Sequence, residues 1–455
     1  MNEPSNPLQS HTQETTGLAR RLGPFDATMI VMGGIIGSGI FMNPHVVAQY
    51  VHTSWLILGA WIVGGLIALG GAFIYAELAA RRPAVGGQYA YLREAYHPLV
   101  AFLFGWTLFL VSDCGGMAAV AITFARYFLE LTNLHASETA IAIGALAILT
   151  IVNCLGVRTG STVQNIFMII KIVAILGLIA CGYFFIRQNQ FHLSPQSDVP
   201  QSHFDLLTSF GAAMVPVMFA FGGWQTANFV AGEIREPQKN LPRGLLFGVI
   251  GVVLLYVGVN IVSIRALGPT GLATITTPAS EVMSIAFGKI GSQLIAVGIA
   301  VSTIGFLSQS ILTAPRVYFA MAKDGLFFKS IAWLHPKTRV PIFAIAIQGL
   351  LAIIVTLSGT YEQVLSYVVS NDFIFFGFSA SCIFVLRRRA VQSHPDEERF
   401  NMPGHPLTTL LFIAVCCFIV LNTIYSYPVN TLIGIGIMFT GIPVYYFWKW
   451  WRRNG

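Results

Sequence analysis

Charge is scarce in this chain of 455 residues: 10% are Asp, Glu, Lys or Arg, against 55% hydrophobic residues. Soluble domains carry roughly 25% charged residues. So few charges cannot cover a water-facing surface, which excludes an ordinary soluble fold. Cysteine is scarce too. Cys114, Cys154, Cys181, Cys382, Cys416 and Cys417 all fall in apolar segments, without zinc-like spacing to His. They read as small buried hydrophobes, which leaves no disulfide framework and no zinc site. Catalytic patterns are missing as well. There is no HExxH, no GxSxG, no P-loop, no haem-like His pair and no intramembrane Asp–Asp pair. No enzyme activity, metal or cofactor is expected. The N-terminus has no basic run before a short apolar core, so no cleavable signal peptide is expected.

Long hydrophobic runs are abundant. Spans of about 20 residues are predicted at 25–50, 55–79, 97–130, 138–156, 162–187, 207–233, 243–266, 279–321, 341–358, 361–386, 406–424 and 429–450. The third and eighth exceed what a bilayer needs and should tilt or project from it. The formal charge of +7 could suggest nucleic acid, but topology explains it better. With the N-terminus inside, 21 Lys and Arg fall on the inner side and only Arg126, Arg187, Arg265 and Lys289 outside, with Lys171 inside a span. That asymmetry predicts a multi-pass protein of the cell (inner) membrane, with both termini cytoplasmic and lipid around it. No nucleic-acid partner is expected.

Two of the spans are broken by glycine. The first contains Gly33-Gly34-Ile35-Ile36-Gly37-Ser38-Gly39-Ile40-Phe41, and the sixth Phe219-Ala220-Phe221-Gly222-Gly223-Trp224. A broken helix frees backbone N–H and C=O groups, tolerable in a membrane only where they line a cavity or meet a ligand. Glycine in membrane helices also serves close packing. Two breaks five spans apart point instead to an inverted repeat with a central site. The predicted organisation is a disordered cytoplasmic segment 1–20, a first repeat 21–188, a second repeat 207–390, and accessory spans in 405–455 with a short cytoplasmic C-terminus.

The chemistry of the breaks follows from helix ends. Free amides near Ser38, at the positive end of a half-helix, suit a carboxylate. Free carbonyls near Ile35 and from Phe219 to Gly222 suit an ammonium. Together they fit an α-amino acid zwitterion, and Gly37, Gly39, Gly222 and Gly223 let the backbone reach it. Phe219 and Trp224 are candidate gates over the substrate. Lys171, in the middle of span 5, costs about 2.5–3.5 kcal/mol on insertion scales. It is expected to stand where a sodium ion would bridge span 1 to span 8, donating to backbone carbonyls and to Ser302 or Thr303. A Lys that releases its proton there would be a proton carrier. Asp113 in span 3 is read as the other buried charge. It has three readings: contact with a substrate side chain, a pair with Lys171, or a protonated group in packed surroundings. Glu77 is expected to pair with Arg81 and Arg82, and Glu233 to be structural. The loop 81–96 is either an interfacial connector or a plug of the inner vestibule.

The segment Gly34 to Phe41 resembles the first-helix signature of the amino acid–polyamine–organocation (APC) superfamily. Phe219-Ala220-Phe221-Gly222-Gly223-Trp224, with Asn228-Phe229, Glu233 and Asn240-Leu241-Pro242, resembles the sixth helix of its L-type amino acid transporter branch. Tyr75-Ala76-Glu77-Leu78, Gly86-Gly87-Gln88-Tyr89-Ala90-Tyr91 and Pro315-Arg316-Val317-Tyr318-Phe319-Ala320 are similar to its cytoplasmic segments. The resemblance runs from about residue 20 to 345. It implies an all-α, LeuT-like 5+5 inverted repeat of about 12 transmembrane helices, with helices 1 and 6 discontinuous. It also implies sodium-independent exchange of neutral L-amino acids. The ammonium would meet carbonyls of Ile35, Phe219 and Gly222, and the carboxylate the amides of Ser38 and Gly39. Phe219 would gate the outer side, and Lys171 matches the family's fifth-helix lysine. The outer loop near 131–137 has no Cys, so no disulfide-linked accessory subunit is expected. Asp113 departs from the branch pattern and bears on side-chain selectivity. A proton-coupled symporter, with cationic substrates among its options, is the alternative. A receptor or channel is the reading from another class; a receptor would need a larger extramembrane domain, and a channel would not need paired breaks.

Overall fold

A computed structural model describes residues 22–84, 86–155, 161–186, 203–336, 340–358, 361–393 and 400–454. The segment 1–20, predicted to be disordered, lies outside them, as do Arg158 and Arg187.

Each predicted span is a helix or a series of helices. Span 1 is α1 (Pro24–Ile35) and α2 (Gly39–Tyr50), and span 2 is α3 (Ser54–Arg81). After α4 (Gln88–Ala95), span 3 runs through α5 (Pro98–Thr107), a π-helical turn (Leu108–Ser112) and α6 (Asp113–Thr132). Spans 4 and 5 are α7 (Glu138–Cys154) and α8 (Ser161–Phe184). Span 6 is α9 (His203–Phe221), then α10 (Thr226–Phe229) and a 3-10 turn (Ala231–Glu233). Span 7 is α11 (Pro237–Thr274), and span 8 is α12 (Pro278–Thr313) continued by α13 (Pro315–Lys323). The last four are α14 (Ile342–Ser358), α15 (Tyr361–Ser393), α16 (Leu407–Ser426) and α17 (Pro428–Asn454). Among the described residues, nine of these spans are long and apolar enough to cross a membrane. Three shorter apolar helices, Glu138–Cys154, Asp205–Phe221 and Ile342–Leu357, occupy the positions of the other three.

The extra length of spans 3 and 8 has local causes. Span 3 absorbs a π-turn, and α12 is broken by Gly288 at φ 62°. Span 7 also outruns its predicted end, bending at Gly268 with φ 67°. Long apolar side chains such as Leu66, Leu254, Leu294 and Leu421 stand on the outer surface. In water that would be untenable; against hydrocarbon it is the stable arrangement, because the helices bond their own backbones.

Helices pack against their counterparts five spans away. α2 packs on α9 and α1 on α10, α3 on α11, α6 on α12, and α7 on α14. Spans 1, 2, 3 and 4 thus pair with 6, 7, 8 and 9, the pattern an inverted five-span repeat produces. The two interrupted helices meet at its centre. A Cβ on Gly39 would overlap Ala220, and one on Gly223, which has φ 109°, would fall on the Gly34 carbonyl. Only glycine allows this approach.

Candidate functional site at the paired helix breaks

The helix breaks fall where the glycines predict. Helical geometry stops at Ile35 and resumes at Gly39, and in span 6 it stops at Phe221 and resumes at Thr226. Between them lies a cavity of about 90 Å³. Ile35, Gly37, Ser38, Gly39, Phe219, Gly222 and Gly223 all line it. The amides of Ser38 and Gly39 have no acceptor among the described residues. They head a half-helix of 12 residues, so uncommitted donors and the positive helix end point the same way. Ser38 is 1% exposed, and its hydroxyl has no hydrogen-bond partner among the described residues.

The carbonyls are less free than expected. Ile35 O accepts from the Gly37 amide at 2.8 Å and from the Tyr256 hydroxyl at 3.1 Å. Both of its lone pairs are therefore engaged. Phe219 O accepts only the Gly222 amide, at 3.1 Å. The Tyr256 hydroxyl also reaches Ala220 O at 3.2 Å, so one side chain on α11 spans both breaks. Nothing in the sequence distinguished Tyr256 from other tyrosines in apolar spans.

Trp224 does not line the cavity. Its indole is fully buried and packs on Phe376 at 4.8 Å between ring centroids. Phe376 faces the cavity, so Trp224 supports the wall from behind. Phe219 does line it, with its ring 6.3 Å from that of Tyr361. The Tyr361 hydroxyl donates to Asn43 Oδ1 at 2.9 Å, and Asn43 Nδ2 to Pro216 O at 2.5 Å. α2, α9 and α15 are thereby closed together beside Phe219.

Lys171 is 2% exposed and donates to Ile36 O at 2.9 Å. It does not snorkel; it ties span 5 to the break in span 1. The expected link to span 8 is absent. The Thr303 hydroxyl bonds back to Ile299 O and Ala300 O, both at 2.9 Å, and Ser302 Oγ has no partner among the described residues. Span 8 instead offers the Phe306 ring, 5.9 Å from the ammonium.

Asp113 does not pair with Lys171. It accepts from Ser310 at 2.7 Å and from Gln348, and it lines the cavity. The π-turn places consecutive residues Ser112 and Asp113 on the same wall, a recurrent use of such turns. A second carboxylate, Asp372 on α15, lines the same cavity. The sequence reading of no intramembrane Asp–Asp pair is thus corrected. Asp113 and Asp372 sit far apart in the chain, and only packing of α6 against α15 joins them. Gln225 and Thr226, also unforeseen, turn inward on the break: Gln225 Oε1 accepts the Gly223 amide at 3.2 Å, and the Thr226 hydroxyl donates to Gly223 O at 2.8 Å.

The basic end of the bundle is tied beneath the site. Tyr91 donates to Asn228 at 3.1 Å and the Gly86 amide to Phe229 O at 3.4 Å, so the loop and α4 dock under span 6. Glu77 accepts from Arg81 and, with two bonds of 2.7 Å, from Arg387; Arg82 pairs with Glu94 instead. Glu233 pairs with Arg316 at 3.5 Å.

Comparison with known proteins agrees with this architecture. The sequence pattern of the amino acid permease family matches residues 22–448. The serine/threonine exchanger SteT of Bacillus subtilis is 32% identical, over 96% of this chain and 98% of its own. The large neutral amino acids transporter small subunit 2 of Mus musculus is 30% identical, over 100% of this chain and 86% of its own. The b(0,+)-type amino acid transporter 1 of Mus musculus is 29% identical, over 98% of this chain and 92% of its own. The chain belongs to the amino acid permease family, and so to the amino acid transporters of the APC superfamily rather than to any class of enzyme.

Proposed function

We propose that this protein exchanges L-amino acids across the cell membrane by sodium-independent alternating access. The observation that carries the reading is the pair of helix breaks, where Ser38 and Gly39, with uncommitted amides, line the same cavity as Phe219 and Gly222. A zwitterion satisfies both without a buried side-chain charge. Because Ile35 O is already engaged, the ammonium acceptors in this state are Phe219 and Gly222. Phe219 covers the substrate, and the repeats 21–188 and 207–390 rock about it.

Sodium independence rests on Lys171, whose ammonium already occupies the Ile36 carbonyl that a cation would use. The printed name of the Bacillus relative, a serine/threonine exchanger, favours exchange over net uptake. The outer loop after α6 has no cysteine and all six cysteines are free thiols. This favours a transporter without a disulfide-linked subunit. The excess of basic residues on one side favours cytoplasmic termini.

Proteoliposomes test this reading. Labelled amino acid should enter vesicles preloaded with unlabelled amino acid and hardly enter empty ones. Robust accumulation in empty vesicles under an imposed pH gradient would instead establish the proton symporter. The neutral-substrate expectation concerns the side chain, which meets a wall of different character.

A further inference from the structure

That wall is built by α6, α12 and α15 rather than by the helix breaks, and it is acidic. Asp113 and Asp372 are the only ionisable side chains lining the cavity among the described residues. The partners of Asp113 are the neutral Ser310 and Gln348, and Asp372 shares its wall with the neutral Ser112. The buried Lys171 of α8 is committed to Ile36 O and does not line the cavity. Two carboxylates in the low-dielectric interior of a membrane protein call for a positive partner, and the described residues supply none in the cavity lining.

An independent observation points to a ligand in the same cavity. Ser38, 1% exposed and with its hydroxyl unpartnered among the described residues, lines it at the head of α2. A buried hydroxyl left unpaired is destabilising, and a substrate carboxylate held by the Ser38 and Gly39 amides would pair it. The ligand is therefore anionic at one end and meets two carboxylates elsewhere.

We propose that Asp113 and Asp372 form the side-chain subsite and select an L-α-amino acid with a short cationic side chain, of the ornithine class. A side-chain ammonium has three donors and can bridge both carboxylates while the α-amino and α-carboxyl groups occupy the helix breaks. This rests on the transport reading above and narrows its substrate.

The test uses the full-length protein in proteoliposomes preloaded with the same unlabelled amino acid. It compares exchange of L-ornithine with that of L-norleucine, whose side chain has similar length and no charge. The wild type should exchange ornithine at least tenfold faster at low concentration. Asp113→Asn and Asp372→Asn, checked for folding by size exclusion, should each lower the ornithine-to-norleucine ratio at least tenfold. A wild-type ratio at or below one overturns the proposal even if neither variant folds. So does an unchanged ratio in both folded variants. Norleucine uptake driven by a pH gradient, with ornithine excluded, would overturn it in favour of carboxylates that share a proton. Failure of the transport reading looks different: no amino acid, charged or neutral, would exchange at all.

Discussion

Lys171 shows what one buried side chain does here. Its ammonium links α8 to the carbonyl of Ile36 and holds the first break shut against span 5. Lys171→Ala removes that link and leaves the carbonyl unpaired, a loss of about 1–3 kcal/mol. The variant should melt earlier while still binding substrate, and should exchange it several-fold more slowly. Parallel thermal unfolding and exchange-rate measurements check this, and an unaltered exchange rate would return Lys171 to a purely structural role. Its importance was legible because a lysine in mid-span has few bland explanations. Its partner was not, since Ile36 O, Ser302 and Thr303 are equivalent on paper and only the rotamers separate them. Asp372 was illegible for a related reason: one carboxylate beside Ser370 and Asn371 acquires meaning only when α15 is packed against α6. Trp224 failed in the opposite direction. Its place in a break suggested a gate, yet a large ring is also what fills the space behind one.

At the scale of elements, the breaks and the residues bridging them set the behaviour. Ser38 has φ −80°, within reach of proline, so Ser38→Pro removes one amide donor with little backbone change. Isothermal titration should show at least tenfold weaker substrate binding; unchanged affinity would place the carboxylate elsewhere. Tyr256 joins the two breaks through one hydroxyl. Tyr256→Phe should destabilise the fold by about 1 kcal/mol and loosen the coupling between spans 1 and 6. Thermal unfolding reads the first effect, and a fall in exchange rate without loss of affinity reads the second. Gly223→Ala should be worse than either. Its φ of 109° strains any L-residue and its Cβ meets the Gly34 carbonyl, so little monodisperse protein should survive size exclusion. The breaks were readable because glycine clusters in apolar spans have few uses. The π-turn before Asp113 was not, because its residues look like any apolar helix.

For the whole molecule, hydrophobic runs and basic-residue asymmetry were enough to predict the spans, and a five-span spacing between glycine clusters was enough to predict the inverted repeat. What they could not supply is the contents of the cavity. That depends on five spans meeting, each contributing several residues that the sequence keeps far apart from those of the others. The molecule that results has a backbone end matched to a zwitterion and a side-chain wall that is acidic. Its central claim is that the broken helices hold the two charged groups of an α-amino acid. The most direct measurement is isothermal titration of the purified protein with its fastest-exchanging amino acid, with the carboxamide of that amino acid, and with its N-acetyl derivative. The account predicts that removing either charge lowers affinity at least 100-fold, since each analogue leaves one helix end without its partner. An analogue lacking the carboxylate or the ammonium that binds as tightly as the parent would contradict it.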